Sequence, residues 1–295
     1  MPPLPTRECF VNARGERFSL LRAAPISAAP ALLWIHATGF NAATYHEMLA
    51  ELGRHLDVRA PDLRGHGLSA APAEAPRLRS WDVYRDDLIA FLDDLDRPVC
   101  LAGHSIGGAI SLAAAARRPG SVSGLLLVEP VLLDQAAGRA LAQAQRAGKG
   151  RQIPQSLAAR KRRAVFPSRQ AAVDNFIGRG AFASWRRSWI EAYVEGGTRE
   201  REDGRVELTC APVWESTTFA VTTADPWPDV ARLACPVTLI VGRHGSTCGN
   251  DSVRRFLELQ PSTRLAEVEQ ASHFLPMEQP ERVIREILAR AAPAR

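Results

Sequence analysis

Apolar residues in this chain fall into short unbroken runs separated by longer stretches with one apolar residue every three or four positions. The runs are Ala31-Leu32-Leu33-Trp34-Ile35, Val99-Cys100-Leu101-Ala102, Leu125-Leu126-Leu127-Val128 and Val237-Thr238-Leu239-Ile240-Val241. Runs of this length, bounded by Gly, Pro or charge, predict strands buried on both faces. Two more strands are expected near Val58-Arg59-Ala60 and, by alternation from Thr263 to Val268, in a strand ending near His273. Near the start, Cys9 to Ala13 alternates, Arg14-Gly15-Glu16 turns, and Arg17 to Leu21 returns, which reads as a hairpin. Between these segments the spacing is helical. Trp81, Tyr84, Leu88, Phe91, Leu92 and Leu95 follow Ser80 as N-cap; Met48, Leu49 and Leu52 mark a shorter helix; Val283, Ile284, Ile287 and Leu288 follow Pro280. Strands alternating with helices at these lengths predict an α/β fold with a mostly parallel, doubly wound sheet.

One stretch breaks the rhythm. From Leu133 to Thr223 there is no buried strand run, and the pattern is helix-like with its own aromatics, among them Phe166, Phe176, Phe182, Trp185, Trp189, Tyr193, Trp214 and Phe219. The expectation is a core formed by residues 1–132 and 224–295, with residues 133–223 inserted as a helical cap over the strand ends. No internal repeat interrupts the chain.

Composition changes little in this picture. At 295 residues the chain can bury about three quarters of its unfolded surface, enough for one large domain with an insertion. No 18-residue apolar run occurs, so no membrane span and no membrane partner is expected. The opening Met1 to Arg7 lacks an apolar secretory core, which points to the cytoplasm. The five cysteines, Cys9, Cys100, Cys210, Cys235 and Cys248, are scattered and odd in number, and read as reduced packing residues without metal or disulfide spacing. The net charge of +5 comes with only two lysines, Lys149 and Lys161, so the excess is arginine bias and no nucleic-acid partner is implied. No oligomeric contact is legible in the pattern.

The chemistry begins at Gly103-His104-Ser105-Ile106-Gly107, set between a strand run and a helical run. A strand that turns straight into a helix presents the apex serine above the sheet edge, beside the free N–H groups of the helix. A serine hydroxyl needs a general base, an acid to orient that base, and donors for the oxyanion. His273 lies in the loop after the last strand and is the expected base, since such loops share the sheet edge that carries Ser105. The oxyanion donors are expected to be the backbone N–H of Ile106 and that of Thr38, from the loop His36-Ala37-Thr38-Gly39-Phe40. Phe40 would rim the substrate pocket.

The ordered set His36-Ala37-Thr38-Gly39, Asp62-Leu63-Arg64-Gly65-His66-Gly67-Leu68-Ser69, Gly103-His104-Ser105-Ile106-Gly107-Gly108 and Ser272-His273-Phe274-Leu275-Pro276-Met277-Glu278 resembles the α/β-hydrolase superfamily, in its lid-bearing serine-hydrolase branch. The resemblance runs from about Cys9 to the end of the chain, the cap excepted. It implies an α/β-hydrolase fold and a Ser–His pair. It also implies that Asp62 to Ser69 is structural. The acid departs from the family pattern. An aspartate is usual three residues after the glycine that ends the penultimate strand, but here Gly242 is followed at that position by Gly245. Some family members place the acid after the preceding strand instead, and Glu129 ends that strand, 24 residues beyond Ser105. An isolated carboxylate at the end of an apolar strand is costly to bury unless it is paired, and His273 would pair it. Asp251, expected to be the N-cap of the next helix, is the alternative acid, and a Ser–His dyad is the third possibility.

Ser, His and an acid over an oxyanion hole perform acyl transfer. The expected activity is cleavage of an ester or related acyl bond of a small molecule, with no metal and no organic cofactor. Amide or carbon–carbon bond hydrolysis on the same residues, or a non-catalytic receptor for a small ligand, are the rivals. Between Gly138 and Ile190 twelve basic residues face one acidic residue, Asp174, so the cap would favour an anionic substrate unless these charges are only solvated helix faces.

Overall fold

The computed structural model describes residues 5–23 and 31–291. Residues 1–4, most of the opening segment read for targeting, lie outside them. Eight strands form one sheet in the order β1-β2-β4-β3-β5-β6-β10-β11. β1 (Thr6–Val11) and β2 (Arg17–Arg22) are the hairpin. Its turn is closed by the Asn12 side chain, which accepts from the Arg14 and Glu16 amides. β2 runs antiparallel to β4 (Asp57–Pro61). From there β3 (Ala31–Ile35), β5 (Val99–His104), β6 (Val122–Val128), β10 (Val237–His244) and β11 (Arg264–Ser272) are all parallel. The last strand starts one residue after Thr263 and ends at Ser272, next to His273, as its alternation and the loop after it predict.

Both faces of the central strands are covered, and the side chains divide accordingly. Leu32, Trp34, Cys100, Ala102, Leu126 and Val128 enter one apolar layer with α1 (His46–Leu52) and the last helix, Pro280–Ala291. Ala31, Leu33, Ile35, Val99, Leu101, Leu125 and Leu127 enter the other, against α2 (Asp82–Asp93) and α3 (Ile106–Ala115). Each fully buried aliphatic side chain contributes about 1.5–3 kcal/mol. α3 is apolar almost all round and is buried almost all round, as such a helix must be. α2 begins at Asp82, and its N-cap is Trp81 with no side-chain bond. Ser80 is therefore not the N-cap; its hydroxyl accepts only from the Asp82 amide, at 3.3 Å.

Residues 133–223 follow β6 and hold α4 (Gln135–Arg146), α5 (Pro154–Arg160), α6 (Arg169–Phe176), α7 (Arg187–Gly197) and α8 (Pro212–Ala220). They are not purely helical. β7 (Val165–Phe166), β8 (Thr198–Glu200) and β9 (Val206–Leu208) make a separate three-stranded antiparallel sheet. Strands of two and three residues leave no apolar run long enough to read. The aromatics of this stretch continue the first core layer: Phe166, Phe176, Phe182, Trp185, Trp189 and Tyr193 pack into it. After it come α9 (Trp227–Val230), α10 (Asn250–Leu259), α11 (Leu275–Glu278) and α12 (Pro280–Ala291). No helix among the described residues is long and apolar enough to cross a membrane.

Candidate active site

The parallel strands β3, β5, β6 and β11 all end at one edge of the sheet, so His36, Ser105, Glu129 and His273 emerge together. Ser105 sits between β5 and α3 with φ 58° and ψ −120°. A residue with a Cβ resists that conformation by about 1–3 kcal/mol, and the surroundings enforce it. A Cβ at Gly103 would collide with the Gly107 carbonyl, and one at Gly107 with the Ile35 carbonyl, so helix, elbow and neighbouring strand pack backbone to backbone. The Ser105 amide donates to the Val128 carbonyl at 3.0 Å, tying the elbow to the next strand.

Ser105 Oγ lies 3.1 Å from Nε2 of His273, and Nδ1 of the same ring faces Oε2 of Glu129 at 3.3 Å. Ser105 and Glu129 are buried, and His273 is half-buried. Among the described residues Glu129 is the other non-glycine residue with positive φ, at 47°. Its carboxylate accepts from the Gly242 amide (2.5 Å), the Ser246 hydroxyl (2.9 Å) and the Thr247 amide (3.3 Å). These donors supply what a buried carboxylate needs. Asp251 stands elsewhere. It is in the first turn of α10, whose N-cap is Gly249; its side chain is exposed and pairs with Arg254. Asp251 is therefore not the N-cap expected from the sequence.

Sequence reasoning missed Ser246 and Thr247. They occupy the loop where the resemblance leads one to look for an aspartate, and the visible signal was two hydroxyls in place of a carboxylate.

The backbone N–H of Ile106 opens α3 and has no acceptor within the helix. Thr38 lies in the loop after β3, where the Phe40 amide donates to the Ala37 carbonyl at 3.1 Å. That loop is held from below by neutral histidines. His36 donates from Nδ1 to the Ala37 carbonyl (2.8 Å) and accepts at Nε2 from the Leu63 amide (2.9 Å), and burial lowers its pKa to about 4. His104 links this loop to His273. The Ala37 amide donates to the Tyr45 hydroxyl, which lies 2.7 Å from His104 Nδ1, and His104 Nε2 lies 2.8 Å from the His273 carbonyl. Because that carbonyl only accepts, Nε2 of His104 carries the proton and Nδ1 accepts from Tyr45. Burial holds His104 well below the ordinary histidine range, so this link stays uncharged.

Phe40 is buried under the inserted segment. Its ring packs on Trp185 (5.1 Å between centroids), Tyr193 (5.9 Å), Phe182 (6.4 Å) and Phe274 (6.4 Å). Asn41 Nδ2 donates to the Tyr193 carbonyl at 3.0 Å. Beside Gly39, the Arg162 guanidinium pairs with Glu215 and bonds the Tyr193 hydroxyl, both at 2.5 Å. The loop that carries Thr38 thus touches the insertion along its length. Apart from this loop, a cleft of about 360 Å³ opens between Ser184 and Arg186 on one side and Ser272, Met277 and Glu278 on the other. No group of three or more His, Cys, Asp or Glu residues suited to a metal ion occurs among the described residues.

A parallel sheet that turns sharply into a helix at a serine, with a histidine and a carboxylate delivered to the same edge, is the architecture of an α/β hydrolase. A model of the alpha/beta hydrolase family matches residues 32–286, and the chain belongs to that family. It is 36% identical over 132 residues to monoglyceride lipase of Rattus norvegicus, a stretch covering 42% of this chain and 43% of the lipase. It is 38% identical over 101 residues to 2-hydroxymuconate semialdehyde hydrolase of Pseudomonas sp. (strain CF600), covering 33% of this chain and 35% of that enzyme. The matched stretches are thus less than half the length of these relatives. The crystal structure of E-2-(acetamidomethylene)succinate hydrolase superposes with a TM-score of 0.78 at 20% identity, covering 97% of this chain and 98% of that one. At that identity the likeness establishes the fold.

Proposed function

We propose that the chain is a serine hydrolase that cleaves an ester of a small molecule through an acyl-enzyme. The observation that carries this reading is the 3.1 Å approach of His273 Nε2 to Ser105 Oγ, with Glu129 behind the ring. Ser105 attacks the ester carbonyl as His273 takes its proton. The oxyanion that forms is held by the Ile106 and Thr38 N–H groups, the first strengthened by its place at a helix N-terminus. The imidazolium, stabilised by Glu129, returns the proton to the leaving alkoxide. Water then repeats the sequence on the acyl-enzyme and frees Ser105. Residues 133–223 serve as a cap, and Phe40 with Trp185 and Phe182 forms the apolar wall of the pocket. Free, widely spaced thiols suit a reducing, cytoplasmic setting.

Arg139, Arg146, Lys149, Arg151, Arg160 and Lys161 take part in no ion pair among the described residues, unlike Arg162, Arg186 and Arg187 of the same segment. This supports a preference for an anionic ester. The test is turnover of a panel of p-nitrophenyl esters together with labelling by a fluorophosphonate. Covalent adduct on Ser105 and a loss of at least about 10³ in kcat for Ser105→Ala are expected. Adduct elsewhere, or normal turnover by that variant, refutes the assignment. Binding without turnover across the panel would mark a receptor. Turnover confined to a vinylogous diketone would mark a carbon–carbon hydrolase.

A further inference from the structure

Thr247 lies in the loop after β10, beside Glu129, and touches His273. Its hydroxyl lies 3.2 Å from His273 Nδ1, as close as the Glu129 carboxylate on the same nitrogen. It also lies 3.0 Å from the Glu129 carbonyl and 3.2 Å from the Pro130 carbonyl. Those two oxygens only accept, so the hydroxyl proton goes to them and a lone pair is left for His273. A pinned acceptor opposite Nδ1 requires Nδ1 to carry the ring proton. Nε2 is then left bare toward Ser105, the tautomer a general base needs.

We propose that Thr247 is a positioning residue that shares the Nδ1 proton of His273 with Glu129 and holds the ring in its basic tautomer. The proposal rests on the Ser–His–Glu reading above. Ser246 completes the arrangement by donating to Glu129 Oε2, while its oxygen accepts from the Cys248 amide at 3.0 Å. One loop therefore supplies a hydroxyl to the carboxylate and a hydroxyl to the imidazole. The carboxylate alone would fix the tautomer by charge; the threonine fixes it by direction, because its own proton is already committed.

The test compares Thr247→Val with Thr247→Ser. Valine keeps the shape and the backbone N–H that reaches Glu129 but removes the acceptor; serine keeps the acceptor. The saturating rate of fluorophosphonate labelling, and kcat on a p-nitrophenyl ester, should fall about tenfold in Thr247→Val with reagent affinity and KM unchanged, and Thr247→Ser should stay within about twofold of the parent. Parental rates in the valine variant overturn the proposal. So does a serine variant as slow as the valine one, which would show that the threonine only fills space. Absence of labelling at Ser105 in the parent would instead sink the Ser–His–Glu reading. Should Thr247→Val not fold, ¹⁵N-histidine NMR of Glu129→Ala gives the answer, because only Thr247 then faces Nδ1. Retention of the Nδ1-protonated form of His273 is expected, and conversion to the Nε2-protonated form overturns the proposal.

Discussion

Replacing Glu129 by glutamine separates charge from shape at the centre of the site. Both carboxylate oxygens face donors: Gly242 N–H at Oε1, and Ser246 O–H, Thr247 N–H and His273 Nδ1 at Oε2. Glutamine has one oxygen to offer. Turning its NH₂ toward Gly242 spoils one bond, and turning it toward Oε2 spoils three, so the first orientation prevails and His273 keeps an acceptor. The loss is then mainly electrostatic. An imidazolium 3.3 Å from a carboxylate gains about 5 kcal/mol at an effective dielectric of about 20. The amide dipole returns about 1 kcal/mol, leaving about 4 kcal/mol, or about 10³ in kcat/KM. Folding should weaken by about 1.5–3 kcal/mol, because the Gly242 N–H loses a charged acceptor within a buried site. The assay is kcat/KM on the best p-nitrophenyl ester, with a calorimetric melt to show that the variant is folded at the assay temperature. Asp251→Asn is the control and should turn over normally, since its side chain is exposed and bonded only to Arg254. A folded Glu129→Gln within tenfold of the parent would refute the reasoning and leave a Ser–His dyad. A larger loss in Asp251→Asn would move the acid there.

Two further outcomes follow from groups around the site. His36 is held neutral by burial, with a pKa near 4 against about 6.5 in the unfolded chain, so the unfolded state gains a proton first as pH falls. Its stability contribution is complete above about pH 6.5 and drains away down to about pH 4; between pH 7 and 4.5 the loss is about 2.5 kcal/mol by urea unfolding. His36→Gln should remove that part of the acid sensitivity, and an unchanged pH dependence would show that His36 is not the group responsible. If the six basic residues from Arg139 to Lys161 that take part in no ion pair among the described residues attract substrate, kcat/KM on a carboxylate-bearing ester should fall severalfold as salt rises from about 0.01 to 0.5 M, because the screening length shrinks from about 30 Å to a few ångströms; an equal response from a neutral ester of the same size would leave those charges as solvated surface.

Local pattern alone was enough for the strands of the large sheet and for the sharp strand-to-helix turn at Ser105. Short apolar runs bounded by Gly, Pro or charge suit strands covered on both faces, and glycines two before and two after a serine, between a strand and a helix, mark an elbow. Composition was enough to argue against a membrane-spanning helix. The partnership of Glu129 was not legible in the same way. Glu129, Asp251 and no acid at all remained open, because a carboxylate and an imidazole 144 positions apart meet only through strand order, and β6 lies beside β5 and β10 for reasons spread over the whole core. The same holds for Thr247, whose hydroxyl matters only because two carbonyls from the end of β6 happen to face it. It holds for the short strands of residues 133–223, too brief to carry a period. And it holds for the aromatic neighbours of Phe40, Trp185 and Tyr193, which lie more than 140 positions along the chain. Burial and period are local properties of a sequence; which polar groups converge at one sheet edge is decided when the chain closes on itself.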